Sequence, residues 1–195
     1  MSATAIILAA GASSRMGGRP KALLELHGAT FLTRIVGLAR AAGVDDVVVV
    51  AGPPHGDEVK ARLPADVRLG WNPDPSRGML SSVQVGIAEV PARATSALVW
   101  PVDLPVVRIS TVQSVLQGPQ GRIVVPRHER RGGHPVRLPR SCFEGIRALP
   151  PTSTLRDFID AHGAEVVIAV VDDPGCVADV DTPEAYRALL GDADG

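Results

Sequence analysis

Residues Leu8–Lys21 read LAAGASSRMGGRPK. Gly11, Gly17 and Gly18 open backbone shapes closed to other residues, and the amides of such a loop can cradle phosphate oxygens. Arg15 and Lys21 bring two cations to the same excursion, and Ser13 and Ser14 two hydroxyls. That set suits a triphosphate, whose departing pyrophosphate needs several donors and positive charge. The same residues would also serve a plain glycine turn with solvated charges. The loop has no GKS or GKT ending, so it is not a P-loop. Its glycines do not space as GxGxxG, so the dinucleotide fingerprint is absent.

Two aspartates form the second group. Asp103 follows an apolar run and precedes Leu104-Pro105; Asp181 lies between an extended segment and a helix start. Brought together at a sheet edge, they would hold Mg²⁺, a hard cation that takes one or two carboxylates plus substrate phosphates. Asp181 would also be favoured by the helix dipole with no metal present, and Asp103 would also suit a turn. Asp179 reads as an orienting neighbour or a surface group, and Asp172 and Asp173 as a solvated turn before Pro174.

A third group lies between and beyond these. Gly78-Met79 opens an amphipathic helix, which leaves free amides pointing outward as an anion site. Ser81 and Ser82 fall in its first turn, either as ligand contacts or as a cap. Asn72 suits an Asx-type turn better than a base contact. The basic run Arg127, His128, Arg130, Arg131 reads as a solvated hairpin tip that could also collect a phosphorylated molecule.

These groups need elements to position them. Ala5–Ala10, Val47–Ala51, Val67–Leu69, Ala97–Val102, Ile123–Val125 and Val166–Val171 read as strands. Helices are expected after the Thr30 cap, over Asp57–Leu63, along Leu80–Val90, and over Ser110–Gln117, Ser141–Ala148 and Thr154–Ala161. A last helix starts at Thr182 with Pro183 in its first turn. The alternation predicts an α/β fold with a mostly parallel sheet covered on both faces. Ligands in such sheets lie outside the carboxyl ends of the strands, which selects the segments after Ala10, Leu69 and Val102 and the one before Thr182.

Bulk properties exclude other classes. The 195 residues suit one domain; 20 basic and 21 acidic residues give a net charge of -1, which argues against nucleic acid or a membrane surface. Aromatic residues, at 3%, are too few for base-stacking platforms. No apolar stretch of about 18 residues exists, and Met1–Leu8 carries no signal-peptide pattern. Cys142 and Cys176 form no CxxC pair and fit a cytoplasmic chain.

LAAGASSRMGGRPK resembles the LAAGxSxRMGxxK signature of the MobA-like nucleotidyltransferases, and within them is most similar to molybdenum cofactor cytidylyltransferases. Further segments follow in family order. WNPDPSRGMLSSVQVG resembles NPxxxxGMxxSxxxG at Asn72, Pro73, Gly78, Met79, Ser82 and Gly86. VWPVDLPVV resembles the DxP segment at Asp103 and Pro105, GGHPV matches GHPV at Gly133–Val136, and VADVDTPEAY resembles DIDTPED at Asp179–Glu184.

The resemblance implies a three-layer α/β/α domain over 1–190, with a Rossmann-like sheet of the nucleotide-diphospho-sugar transferase type; the tail over 191–195 is expected to fray as termini do. It implies transfer of a nucleoside monophosphate from an NTP, CTP by preference, to molybdopterin or another phosphorylated acceptor, with Mg²⁺ on Asp103 and Asp181. Arg15, Lys21 and Asp103 would be catalytic. Leu8, Ala9, Ala10, Gly11, Ser13, Arg15, Lys21, Asn72, Ser82 and Asp103 would bind the NTP. Gly78, Met79, Ser82 and His134 would bind the acceptor, with no general base required of His134. A molybdoenzyme or its chaperone is the implied protein partner, and the chain itself a monomer or homodimer. Where those cytidylyltransferases carry a GDxGAR-like segment on the acceptor side, this chain has PPTSTLRDFIDAHGA, without the glycines. The acceptor therefore stays open between a pterin, a sugar phosphate and a phosphorylated hydroxy acid. A nucleotide-binding module without turnover and a dehydrogenase-type dinucleotide domain are the alternatives from other classes.

Overall fold

Residues 2–191 are described by a computed structural model. The first apolar run forms β1 (Ala3–Leu8), all six residues of which are buried. A short hairpin of β2 (Glu25–Leu26) and β3 (Ala29–Thr30) follows. Thr30 then caps α1 (Phe31–Ala41), its side chain accepting from Thr33 N. The chain continues through β4 (Asp46–Ala51), α2 (Gly56–Lys60), β5 (Arg68–Trp71), α3 (Met79–Ala88), β6 (Ser96–Pro101) and α4 (Ile109–Gln117). β7 (Ile123–His128), β8 (Arg131–Gly132) and β9 (Val136–Pro139) come next, then α5 (Phe143–Arg147), α6 (Leu155–Ala161), β10 (Val166–Val170) and α7 (Pro183–Gly191). Of the tail expected to fray, Gly191 ends α7 and 192–195 lie outside the described residues.

The sheet runs β10-β7-β9-β6-β1-β4-β5, with β8 paired to β7. β1 lies parallel to both β4 and β6, β4 to β5, and β7 to β10. Among the described strands of this sheet only β9 and β8 run antiparallel, β9 being wedged between β6 and β7. The α/β class with a mostly parallel sheet is thus as expected. The antiparallel wedge is not, because Val136–Pro139 is short and carries Arg137, which breaks its apolar pattern. Arg137 is 3% exposed. Its guanidinium donates to the carbonyls of Leu116 at 2.6 Å and Gly118 at 2.9 Å, and to that of Pro119, closing the end of α4. A buried guanidinium is tolerable only when carbonyls replace its water in this way.

One apolar core packs α1, α4 and α7 on one face of the sheet, and a second packs α3, α5 and α6 on the other. The two cores follow from the alternation of side chains along strands buried on both faces. In β1, Ala5 and Ile7 enter the first core, while Ile6 and Leu8 enter the second. α3 lies close on the sheet because Gly86 has no side chain: a Cβ there would run into Ile6 and come to 3.1 Å from Val50 Cγ2.

Candidate active site

The loop after β1 is anchored rather than loose. Met16 is 4% exposed and packs into the first core. Ser13 adopts a left-handed conformation (φ 50°), as do Gly17 (φ 64°) and Gly18 (φ 78°). The strained serine is held by its own bonds: its Oγ accepts from Lys21 N at 3.1 Å and its carbonyl from Met16 N at 2.9 Å. The fold that brings Lys21 back over the strand ends therefore depends on Ser13.

Asp103 leaves the end of β6 on a turn fixed by Trp100, whose buried indole donates Nε1–H to Leu104 O at 3.1 Å. The backbone carbonyl of Asp103 accepts from Val180 N at 2.8 Å, which ties the segment carrying Asp181 to the same turn. α7 holds that segment from the other end. Thr182 Oγ1 accepts from Ala185 N, and Tyr186 donates its hydroxyl to Glu25 O at 2.6 Å while meeting Phe31 edge-on.

The result is a four-residue charge cluster. Lys21 Nζ donates to Asp103 Oδ2 at 3.2 Å and also to Asp181 Oδ1; Arg15 donates to Asp181 Oδ2 at 2.7 Å. Burial pushes the Asp103 carboxyl above its usual pKa, against the pull of Lys21, and Asp181 and Asp179 push the same way. Asp181 moves in the opposite direction, below the usual range, chiefly because Lys21 donates to it, with Arg15 adding to the effect. Burial disfavours the Lys21 ammonium, but its two carboxylates outweigh this and its pKa lies above the usual value.

These residues border a cleft of about 300 Å³. Leu8, Ala9, Ala10, Gly11 and Ser13 line it together with Asp103 and Asp181 and with Gly78, Met79 and Ser82. Gly78, at φ 94°, precedes α3, and no side chain caps that helix's first amides. The structure thus brings together almost every residue the sequence singled out, with two exceptions. Asn72 lies outside that lining, 1% exposed. It donates Nδ2–H to Ser81 Oγ and Ser82 Oγ, each at 2.9 Å, and accepts from Asp74 N in an Asx turn. Its amide is spent on holding the loop to α3. His134 faces a separate basin of about 870 Å³ that meets the cleft at Gly78 and Met79. Its Nδ1 lies 3.2 Å from Val99 O; a carbonyl only accepts, so Nδ1 carries the proton. Burial lowers its pKa, which keeps the ring neutral with Nε2 as its remaining acceptor.

One expectation is overturned outside the cleft. Asp173 is no solvated turn: it is 2% exposed and accepts from Thr111 Oγ1 at 2.6 Å, Arg108 N at 2.8 Å and Gly175 N at 2.9 Å. Arg77, which borders the basin beside Gly78, was passed over; a cation directly before a helix-opening glycine was the available signal.

Among the described residues no group of three or more His, Cys, Asp or Glu side chains converges as a metal site. Asp103 and Asp181 nonetheless converge on one cationic centre, the Lys21 ammonium. Two carboxylates aimed at one point fit a divalent ion whose other ligands come from substrate phosphates. Among the described residues no helix is long and apolar enough to cross a membrane.

The model of the MobA-like NTP transferase domain matches residues 5–166. Over nearly the whole of both chains, the sequence is 31% identical to nicotine blue oxidoreductase of Paenarthrobacter nicotinovorans, with 96% of each covered. It is 26% identical to molybdenum cofactor cytidylyltransferase of Escherichia coli, with 93% of this chain and 92% of that one covered. Rv0371c from Mycobacterium tuberculosis H37Rv superposes with a TM-score of 0.86 at 31% identity, covering 98% of both chains. Its complex with manganese superposes at 0.80 and 28% identity, covering 98% of this chain and 99% of that one. Three further curated relatives are spanned over only 23%, 57% and 24% of their own lengths.

Proposed function

Because this chain belongs to the MobA-like NTP transferase domain family, and so to the nucleotidyltransferase enzymes, we propose that it moves a nucleoside monophosphate from an NTP to a phosphorylated small molecule, releasing pyrophosphate. The observation that carries this reading is the Lys21 ammonium held between Asp103 and Asp181 beside a glycine-lined loop. The Gly11–Gly18 amides and the Arg15 guanidinium receive the β- and γ-phosphates. Lys21 compensates the charge that grows on the leaving pyrophosphate. Asp103 and Asp181 hold a divalent cation, Mg²⁺ by preference; manganese bound by Rv0371c supports a divalent ion in this fold. Such an ion, when bound, would supply the positive charge that offsets negative charge developing on the phosphates. The Gly78 end of α3 and the Ser82 hydroxyl orient the acceptor phosphate for in-line attack on the α-phosphorus. That phosphate is ionised at neutral pH, so no base is needed, and positioning with charge neutralisation carries the catalysis. CTP is the preferred donor and the cytoplasm the expected compartment. Molybdopterin is the leading acceptor, supported by the chain-long similarity to the cytidylyltransferase. A molybdoenzyme or its chaperone would then be the protein that receives the product.

The similarity to nicotine blue oxidoreductase, also chain-long, favours one second reading: redox chemistry in the same cleft with a bound dinucleotide. The missing GxGxxG spacing and the acidic end of the cleft oppose it. Four NTPs tested against phosphorylated acceptors, read by pyrophosphate release, together with an NADH titration, separate the two. Saturable NADH binding with no pyrophosphate from any pair would overturn the transferase reading.

A further inference from the structure

The two edges of the sheet are finished differently. β5 closes one of them and is guarded as free edges usually are: it is short, and it carries an exposed Arg68 and a glycine, Gly70. β10 closes the other with Val-Val-Ile-Ala-Val, a run without charge, glycine or proline. Val170 is 80% exposed, and Val166, Val167, Ile168 and Ala169 are only partly buried. An open edge of β-branched residues is a template for another strand.

The ladder shows which backbone groups are free. Successive residues of a strand turn their N–H and C=O to opposite edges. Val171 N donates to Arg127 O of β7 at 2.9 Å, so Val167 and Ala169 turn to β7 as well. Val166, Ile168 and Val170 then turn theirs to the open side. A second copy running antiparallel and centred on Ile168 pairs that row with itself. Ile168 faces the partner's Ile168, and Val166 faces the partner's Val170 on the same side of the sheet, which covers the most exposed valine. Both copies present the same patch, as a two-fold dimer requires.

Charge favours the same register. Arg122 reaches this edge and donates to Ala164 O at 3.2 Å; Ala164 would face the partner's Asp172. Arg108 donates to Asp172 O, next to Val171, which would face the partner's Glu165. Among the described residues none of Arg108, Arg122, Glu165 and Asp172 forms an ion pair within the chain. Across the edge, each arginine meets an acid, twice over by symmetry. A parallel partner would instead set Glu165 beside Glu165 and Asp172 beside Asp172.

We propose that two copies of this chain pair antiparallel through β10 and fuse their sheets into one. Backbone bonds and covered valines hold the pair, and the arginine–acid contacts, weak singly, set its register. The pairing uses no residue of the cleft, so it stands independently of the transferase reading.

Sedimentation equilibrium of the full chain should give twice the mass of one chain, with monomer appearing on dilution. Hydrogen exchange at the Val166, Ile168 and Val170 amides should slow as the dimer forms, while the Val167 and Ala169 amides, bonded to β7 in either state, stay slow throughout. Val170→Pro removes an N–H that β7 does not use. It should leave a monomer with native circular dichroism, and Val170→Lys, which guards the edge by charge, should do the same; if the proline variant fails to fold, the lysine variant decides. Asp172→Arg and Arg122→Asp should each weaken the dimer about threefold, and the two together should restore it. A monomer at every concentration would overturn the proposal. So would a dimer that survives the Val170 variants, one that leaves exchange at the three outward amides unchanged, or charge reversals that fail to rescue each other.

Discussion

At the scale of single residues, the cleft holds a charge that the fold does not favour. Burial outweighs Lys21 at Asp103, so the ionised carboxylate there costs stability in the free protein. Asp103→Asn keeps the shape and removes that cost. Its melting temperature should equal or exceed that of the wild type, while kcat falls by roughly 10²–10³ through loss of charge stabilisation. Scanning calorimetry and pyrophosphate release check the two halves, and a variant with near-native turnover would remove Asp103 from its role. His134 gives a pH prediction. Its folded pKa lies below the usual 6.5, so as pH falls through that value the unfolded chain takes a proton that the folded ring refuses, and stability drops. His134→Asn, which can still donate to Val99 O, lacks this penalty. Between pH 7.5 and about 5 the wild type should lose melting temperature relative to the variant; parallel curves would refute the assignment. Residue types and order made the loop, the acidic pair and Gly78 legible in the sequence. Asp173 was not, since its partners Arg108 and Thr111 lie over sixty positions away and no local pattern reports a tertiary hydrogen bond.

At the scale of elements, the same Asp173 fastens the segment after β10 to the start of α4. Asp173→Ala strips one carboxylate from three donors, two of them backbone amides. Loss of such charge-assisted bonds costs roughly 1.5–3 kcal/mol, to be read as a lower urea midpoint with unchanged slope. NTP affinity should hold, because the tie lies outside the cleft. Strand positions were legible because β1, β4 and β6 are continuous apolar runs closed by turn residues. Their order across the sheet was not: pairing joins segments such as β6 and β9 that are far apart in the chain. The β2–β3 hairpin escaped notice because its strands have two residues each, too few for any period to show.

For the whole molecule, the cleft draws on chain from residue 8 to residue 181, so a ligand that fills it clamps the fold as a unit. At a hundredfold excess over Kd, NTP with Mg²⁺ should stabilise the protein by about 2.7 kcal/mol, or roughly 5–11 °C for a chain of this size. EDTA should abolish most of that shift, and Mg²⁺ alone should produce little, since two carboxylates need the phosphates to complete a coordination shell. An equal shift in EDTA would mean that no metal takes part. The bare flank of Gly86, finally, makes α3 a gauge as well as a wall. The rod rests on the floor of the sheet near its far end and turns its opening residues to the cleft. Any thickness added at that fulcrum would tilt the aim, so a change remote from every ligand would be felt as a site slightly out of focus.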